Sequence, residues 1–526
     1  MPQHNQMVLG DIVWKNAKEL PDKMGVLNFD TGERFTFQEF YIRTNKLANG
    51  LLKLGNKKGD RIGLLGFNNH QYLESMFACW KAGLVIVPLN VRLAAPEISF
   101  ILNNAEATTL IYDREMEGLV QTFRGSLETV KNYILVGEKK GDLDYNELLV
   151  QSPEDEPPVE VYDTDLAALP YTAGTTGKPK GVMLTHRNEI AQITEGAIDQ
   201  NIRHRQEVHL AVAPMFHLAV WAFFLPNIYC HNSTVTLKRF DPAMVCRALQ
   251  DAKVTTTLWV PAMIITMLDY EDCKNYDLSS LRIIYWGAAT IPPDRLAAAM
   301  KKFGCDFIQG YGMTESSPWA VTVMTAEDHR LAVTERPHLL ASCGRPALGA
   351  LVRVVDGNDR DVNLGEVGEI IVRGNNIMQG YWKNPEANNE ALKGGWYHTG
   401  DLAKQDEEGY LYIVDRKKDM YISGGENVYT KEVEDIISQH PAVFEVAIVS
   451  VPDEKWGEAG RAFISCRPGK SVTEDEIRKY MEGKLAHFKM PRYYEFVDSI
   501  PRNAAGKILK TVLREPYWKG YERRVH

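Results

Sequence analysis

Short apolar runs separated by helix-length amphipathic segments recur through the first three hundred residues, an alternation that points to βαβ units and a parallel sheet covered by helices. Thr36-Phe-Gln-Glu39 has the form of a capping box, and Phe40, Leu47, Leu51 and Leu54 follow at helical spacing until Gly55 ends the helix. Residues 61–65 read as a buried strand, 70–82 as a helix that stops at Gly83, and 84–88 as the next strand. The same rhythm returns at 255–261, 282–285 and 306–309.

Beyond about residue 340 the pattern changes to short strands and turns, at 351–355 and 369–372 with Gly365 and Gly368 between them, which predicts a β-rich subdomain. From Asp419 a compact α+β unit is expected: a helix near 432–438, strands near 445–451 and 462–466, and a helix opened by Thr473-x-x-Glu476. A chain of 526 residues exceeds the roughly 250–300 residues at which one core stops growing, so more than one domain is expected. The charged segment 415–419 marks the boundary, giving a large α/β domain over 1–417 and a small α+β domain over 418–526.

A formal net charge of −9 argues against a nucleic-acid binder and requires any anionic substrate to be met by local positive charge. The seven cysteines are scattered with no Cys-x-x-Cys pair, which argues against a disulfide scaffold or zinc site and fits a reducing cytoplasm. The first residues lack the layout of a signal peptide. The most apolar stretch, 209–230, contains two prolines, two histidines and an asparagine, so it reads as a buried strand and loop leading into a core helix. At most peripheral membrane contact is expected, and the oligomeric state, a homodimer included, stays open.

Tyr171-Thr-Ala-Gly-Thr-Thr-Gly-Lys-Pro-Lys-Gly181 packs small residues, hydroxyls and lysines into one loop. Gly174 and Gly177 let backbone N–H groups approach an anion, Thr172, Thr175 and Thr176 offer hydroxyls, and Lys180 brings a mobile charge. It is not a Walker loop, because the glycines are too close and Pro179 follows Lys178. Four further runs follow in order: Gln309-Gly-Tyr-Gly-Met-Thr-Glu315, Tyr397-His-Thr-Gly-Asp401, Val414-Asp-Arg-Lys-Lys-Asp419 and Pro501-Arg-Asn-Ala-Ala-Gly-Lys507.

Together these five runs resemble the motifs of the adenylate-forming superfamily of acyl-CoA synthetases, luciferases and peptide-synthetase adenylation domains. Asn90-Val-Arg-Leu-Ala-Ala-Pro-Glu-Ile-Ser-Phe-Ile101 and the tail after Lys507 are most similar to fatty-acyl-CoA ligases. Ala173 departs from the serine usual in that family, which implies altered phosphate affinity rather than lost chemistry.

The resemblance implies ATP, Mg²⁺ and coenzyme A as partners of a carboxylic acid. Glu315 would ligate the metal, with Thr172 as a second oxygen ligand. Thr314 would contact the α-phosphate, and the run Gln309, Gly310, Tyr311, Gly312, Met313 would face adenine opposite Gly287, Ala288 and Ala289. Asp401 and Arg416 would hold the ribose. Lys507 would bridge the acid and the α-phosphate. Lys418 would be the hinge, and Ser423, Gly424 and Gly425 would guide the thiol arm. His217 would stand beside the reacting carboxylate, with Trp221 as a gate and Trp286, Trp259 and Met263 lining the acyl pocket.

The expected reaction is ligation of a medium- or long-chain fatty acid to coenzyme A. An aryl- or cyclic-acid ligase, an enzyme loading a carrier protein, a luciferase-type oxygenase and a nucleotide sensor without turnover are the alternatives.

Overall fold

The computed structural model describes residues 6–137, 142–172, 179–289, 291–317, 321–423, 426–502 and 508–519. The chain packs into two compact units, one formed by Met1–Val352 and Val372–Tyr397, the other by Arg353–Ile371 and His398–His526.

Two large sheets organise the first unit. One runs in the order Arg345–Pro346, Thr322–Met324, Asp306–Tyr311, Ile283–Gly287, Thr256–Trp259, Val208–Ala211, Ser233–Thr236, Met24–Asn28, Arg34–Thr36. Its strands from Asp306–Tyr311 through Met24–Asn28 are all parallel, and the antiparallel strands Thr322–Met324 and Arg34–Thr36 flank them. In the other sheet, Val85–Pro88, Arg61–Leu65, Ala107–Asp113 and Asn132–Val136 are parallel. There Lys180–Thr185 runs antiparallel to its neighbours Leu166–Ala168, Tyr171–Thr172 and Gly380–Tyr381.

Local sequence explains the helices between these strands. Thr36 accepts from the Glu39 N–H and Glu39 accepts from the Thr36 N–H, so the expected capping box opens the helix Phe37–Lys53. Such a cap contributes about 1 kcal/mol. Asn69 caps His70–Lys81 with a single bond, its side chain accepting from the Tyr72 N–H. Gly55 and Gly83 follow these helices with φ of +91° and +67°, a backbone region that costs glycine nothing.

Phe40, Phe77, Trp80 and Trp221 then form a chain of edge-to-face rings, at 5.9, 5.1 and 5.8 Å between centroids, through the main core. The apolar stretch around 209–230 becomes the buried strand Val208–Ala211 and the core helix Leu218–Tyr229. Among the described residues no helix is long and apolar enough to cross a membrane.

The second unit contains the ladder that pairs residues 401–405 with Leu411–Arg416 and a five-stranded sheet built on the long hairpin Val443–Asp453/Gly457–Cys466. Helices Thr430–Ser438 and Glu474–Met481 bury Val433, Ile437, Ile477 and Met481 in its core. The helix Lys510–Trp518 is pinned by polar anchors. Lys510 Nζ reaches Thr430 Oγ1 and Glu434 Oε1, both at 2.7 Å, while Arg514 donates to the Lys418 carbonyl at 3.0 Å and Trp518 donates to Ser450 O. Burial alone would lower the Lys510 pKa, but Glu434, Asp419 and Asp415 more than offset it, so the ammonium persists.

Among the described residues, one buried acid in the first unit is not paired with a base. Glu189, on the helix His186–Asp199, is fully buried, its Oε2 accepting from Gln192 at 3.2 Å while its Oε1 has no partner. Burial pushes its carboxyl up to about 8. The folded chain therefore keeps a proton that the unfolded chain releases near pH 4–5, and the associated stability is complete below that range and lost as pH rises toward 8. Glu189→Gln is expected to remove this alkaline loss and to stabilise the protein at pH 8 by roughly 2–4 kcal/mol more than at pH 5. Thermal midpoints of both proteins at the two pH values measure the difference, and parallel shifts would contradict it.

Candidate active site

Because neighbouring strands of the first sheet are parallel, Val208–Ala211, Thr256–Trp259, Ile283–Gly287 and Asp306–Tyr311 all deliver the chain to the same edge. The segments leaving that edge are Pro214–His217, Val260, Ala288 with Ala289, and Gly312 to Glu315. The carboxyl ends of parallel strands are the usual place for a ligand crevice in such folds.

Backbone contact dictates the small residues there. A Cβ at Gly287 would lie 2.4 Å from the carbonyl oxygen of Gly310, its paired residue on the adjacent strand. Ala288 then turns out of the strand at φ +66°, leaving Ala288 and Ala289 exposed. Gln309 is buried, its Oε1 without a partner among the described residues, and Tyr311, Gly312, Met313 and Thr314 are half-buried beyond it.

At the same edge stands Glu315, which is buried and presents Oε1 to the Tyr381 hydroxyl at 3.0 Å and to the Thr172 hydroxyl at 3.4 Å. Thr172 comes from the strand Tyr171–Thr172 and Lys180 from the strand paired with it, so they flank the glycine-rich loop. Gly174, Thr175, Thr176 and Gly177, with Ala173 and Lys178, lie outside the described residues. Lys180 holds its ammonium 5.1 Å from the centre of the Tyr381 ring.

Like Tyr381, Tyr397 is buried, and the charge of Glu315 reaches its phenol. Burial first and the Glu315 charge second raise both phenols far above their ordinary range, so both remain protonated donors.

The Glu315 carboxylate and Thr172 hydroxyl are hard oxygen donors that fit Mg²⁺, which binds through one or two carboxylates and completes its shell with phosphate and water. Among the described residues no cluster of three or more metal-ligating side chains exists. A divalent ion here would therefore rely on phosphate oxygens.

His217 precedes the helix Leu218–Tyr229 without capping it through its side chain, in a turn braced by Asn68, which accepts from Met215 N and donates to Ala213 O. It is open to solvent on one side and crowded by protein on the others. That crowding first, and the charge of Arg92 second, lower its pKa and keep the imidazole neutral at pH 7.

The tryptophans sit deeper than a lining role suggests. Trp221 is fully buried and donates to the Met215 carbonyl at 2.7 Å, tying the His217 turn to the core. Trp286 is buried and donates to His329 Nε2 at 3.0 Å, and since His329 Nδ1 faces the Thr325 carbonyl at 2.8 Å, that histidine is the neutral Nδ1–H tautomer. Burial lowers the His329 pKa to about 4. Trp259 is fully buried as well, and Met263 is half-buried.

In the second unit Asp401 and Arg416 are paired across the ladder, with Arg416 Nε 3.0 Å from Asp401 Oδ1. A carboxylate beside a guanidinium suits a vicinal diol, which both donates and accepts. Lys418 follows, its carbonyl held by Arg514. Ser423 is buried and paired with Glu426. Gly424, Gly425 and Lys507 lie outside the described residues.

Sequence reasoning did not assign roles to Tyr381, Tyr397, Arg92 or His329. Tyr397 opens one of the recognised motifs and was within reach, whereas Tyr381 lies in Gly380-Tyr-Trp382, whose proximity to Glu315 is created only by strand pairing.

Residues 13–382 match the family profile described as AMP-binding enzyme, and residues 432–507 match the AMP-binding enzyme C-terminal domain. The chain belongs to this adenylate-forming family, whose members activate carboxylic acids with ATP. It is 37% identical to a feruloyl-CoA synthase of Amycolatopsis sp, over 92% of this chain and 94% of that protein. It is 35% identical to a long-chain-fatty-acid–CoA ligase of Thermus thermophilus, over 98% and 96%. The solved structure of an anthranilate CoA ligase in complex with anthranoyl-AMP is similar at a TM-score of 0.86 and 28% identity, over 98% of both chains.

Tyr381→Phe removes the donor to Glu315 and is expected to destabilise the protein by about 1–3 kcal/mol, the range for a hydrogen bond to a charged group. The same variant is expected to raise the Mg²⁺ concentration needed for half-maximal acid-dependent pyrophosphate release. An unchanged thermal midpoint and metal dependence would show that Tyr381 does not orient the carboxylate.

Proposed function

We propose that the protein ligates a medium- or long-chain fatty acid to coenzyme A in two steps. A carboxylate is anionic and lacks a leaving group. Attack of its oxygen on the α-phosphorus of ATP expels pyrophosphate and gives an acyl-adenylate; attack of the coenzyme A thiol on the acyl carbon then forms the thioester and releases AMP. Both steps bring anions together, so catalysis consists of positioning and charge neutralisation.

The observation that carries this reading is the convergence of Glu315, Thr172, Tyr381 and Lys180 beside the glycine-rich loop at the carboxyl edge of the parallel strands. Glu315 and Thr172 would hold Mg²⁺ against the phosphates, which neutralises them in transit. Thr314 would donate to the α-phosphate. Adenine would sit between Tyr311 and the run from Gly287 to Ala289, where the missing side chains leave room. Asp401 and Arg416 would bind the ribose hydroxyls. His217, neutral and next to the positive field of Arg92, would receive the acid's carboxylate without adding charge of its own.

Trp221 fixes the His217 turn through Met215, and a gating movement of its ring would have to release that bond. Lys507 would bridge the carboxylate and the α-phosphate. Lys418 would be the pivot between the two half-reactions, with Ser423, Gly424 and Gly425 guiding the pantetheine arm.

Lys507→Ala is expected to abolish acid-dependent ATP–pyrophosphate exchange while leaving ATP binding nearly intact, as read by calorimetry; undiminished exchange refutes the role. Lys418→Pro is expected to slow thioester formation more than adenylation in single-turnover assays, because it stiffens the pivot. Equal slowing of both half-reactions would remove the pivot.

An aryl acid is the second reading, favoured by the 37% identity to a feruloyl-CoA synthase across nearly the whole chain. Formation of AMP and acyl-CoA with palmitate, hexanoate, benzoate and ferulate decides between them. Turnover with palmitate above ferulate is expected, and the reverse order establishes the aryl reading.

A further inference from the structure

Away from the site just described, two cysteines that its chemistry does not use are in contact. Cys246, in the helix Pro242–Asp251, directs its S–H at the sulfur of Cys273, in the short turn Glu271–Asn275, at 3.3 Å. Both are free thiols and both are buried. The turn nevertheless lies at the surface, since Glu271, Asp272, Lys274 and Asn275 around Cys273 are exposed. Beside the pair, Lys302 is fixed by donating to the carbonyls of Met267, Leu268 and Tyr270 at 3.0, 2.8 and 2.8 Å.

We propose that Cys246 and Cys273 form a reversible oxidation site for small hydroperoxides, in which Cys273 reacts first and Cys246 resolves the product into an intramolecular disulfide. The two sulfurs are inequivalent. The hydrogen bond from Cys246 lowers the Cys273 thiol and raises its donor, while the charge of Lys302 lowers both. A thiolate is the nucleophile toward peroxide, and a second sulfur in contact is what captures the product before further oxidation.

In the first step the Cys273 thiolate attacks the terminal oxygen of ROOH. The O–O bond breaks, ROH leaves with one proton, and Cys273 becomes a sulfenic acid. In the second the Cys246 sulfur attacks Cys273, its proton leaves with the displaced hydroxide as water, and the S–S bond forms. Overall two thiols and ROOH give one disulfide, ROH and H₂O. The bridge would close residues 246–273 into a ring containing the strand Thr256–Trp259 and the helix Pro261–Asp269. Burial restricts the oxidant to hydrogen peroxide or an alkyl hydroperoxide of similar size.

The full-length protein is treated with hydrogen peroxide, its remaining thiols are alkylated, and its peptides are analysed by mass spectrometry without reductant. The expected result is a linked pair of peptides carrying Cys246 and Cys273, lighter by two hydrogens than the two thiol peptides and restored by dithiothreitol. In Cys246→Ser the disulfide is lost, and dimedone traps a sulfenic acid on Cys273. Recovery of Cys246 and Cys273 as alkylated thiols, at a peroxide dose that oxidises the half-exposed Cys466, overturns the proposal. A disulfide in the parent protein without dimedone capture in Cys246→Ser overturns the order of the two sulfurs. Should that variant not fold, the peptide pair and its reversal in the parent protein still decide whether the site exists.

Discussion

Parallel pairing of Val208–Ala211, Thr256–Trp259, Ile283–Gly287 and Asp306–Tyr311 is the constraint on which the rest of the structure depends. Parallel strands must return by a crossover, so segments far apart in sequence leave the sheet at one edge, and whatever chemistry they carry is gathered there. The close approach of Gly287 to the Gly310 carbonyl shows how little freedom this leaves. A side chain at Gly287 would push apart the two strands whose ends lead to Ala288 and to Glu315.

Within that frame the electrostatics of Glu315 are arranged by neighbours. A buried carboxylate is costly unless its oxygens are satisfied, and the Tyr381 and Thr172 hydroxyls bond Glu315 Oε1. Hydroxyl donors stabilise the anion without neutralising it. Tyr381 serves as such a donor because burial and the acid's own charge keep its phenol protonated. His217 follows a similar logic, remaining neutral where a second fixed charge would disturb the balance.

Much of this was legible in the residues. The capping box at Thr36 and Glu39, the helix stop at Gly83, the core helix around Trp221 and the hairpin strands near 445–451 and 462–466 lie where local propensity and periodicity place them. The motif runs named Glu315, Thr172, Asp401 and Arg416, and the fold brings Thr172 to Glu315 and Arg416 to Asp401. Tyr381 was not legible because its tie to Glu315 depends on pairing between Lys180–Thr185 and a two-residue strand two hundred residues away, which no local pattern records. The contact between Cys246 and Cys273 was hidden for the same reason, their spacing matching no motif.

The sequence by itself determined the family, the alternation of strands and helices and the residue types available for phosphate, metal and ribose, because these depend on short-range spacing and side-chain chemistry. Only the tertiary structure decided which donors face Glu315, which tautomer His329 adopts, that Trp221 is anchored in the core, and which two of seven cysteines touch. Those outcomes depend on distances between segments remote along the chain, and such distances are set by strand pairing and burial.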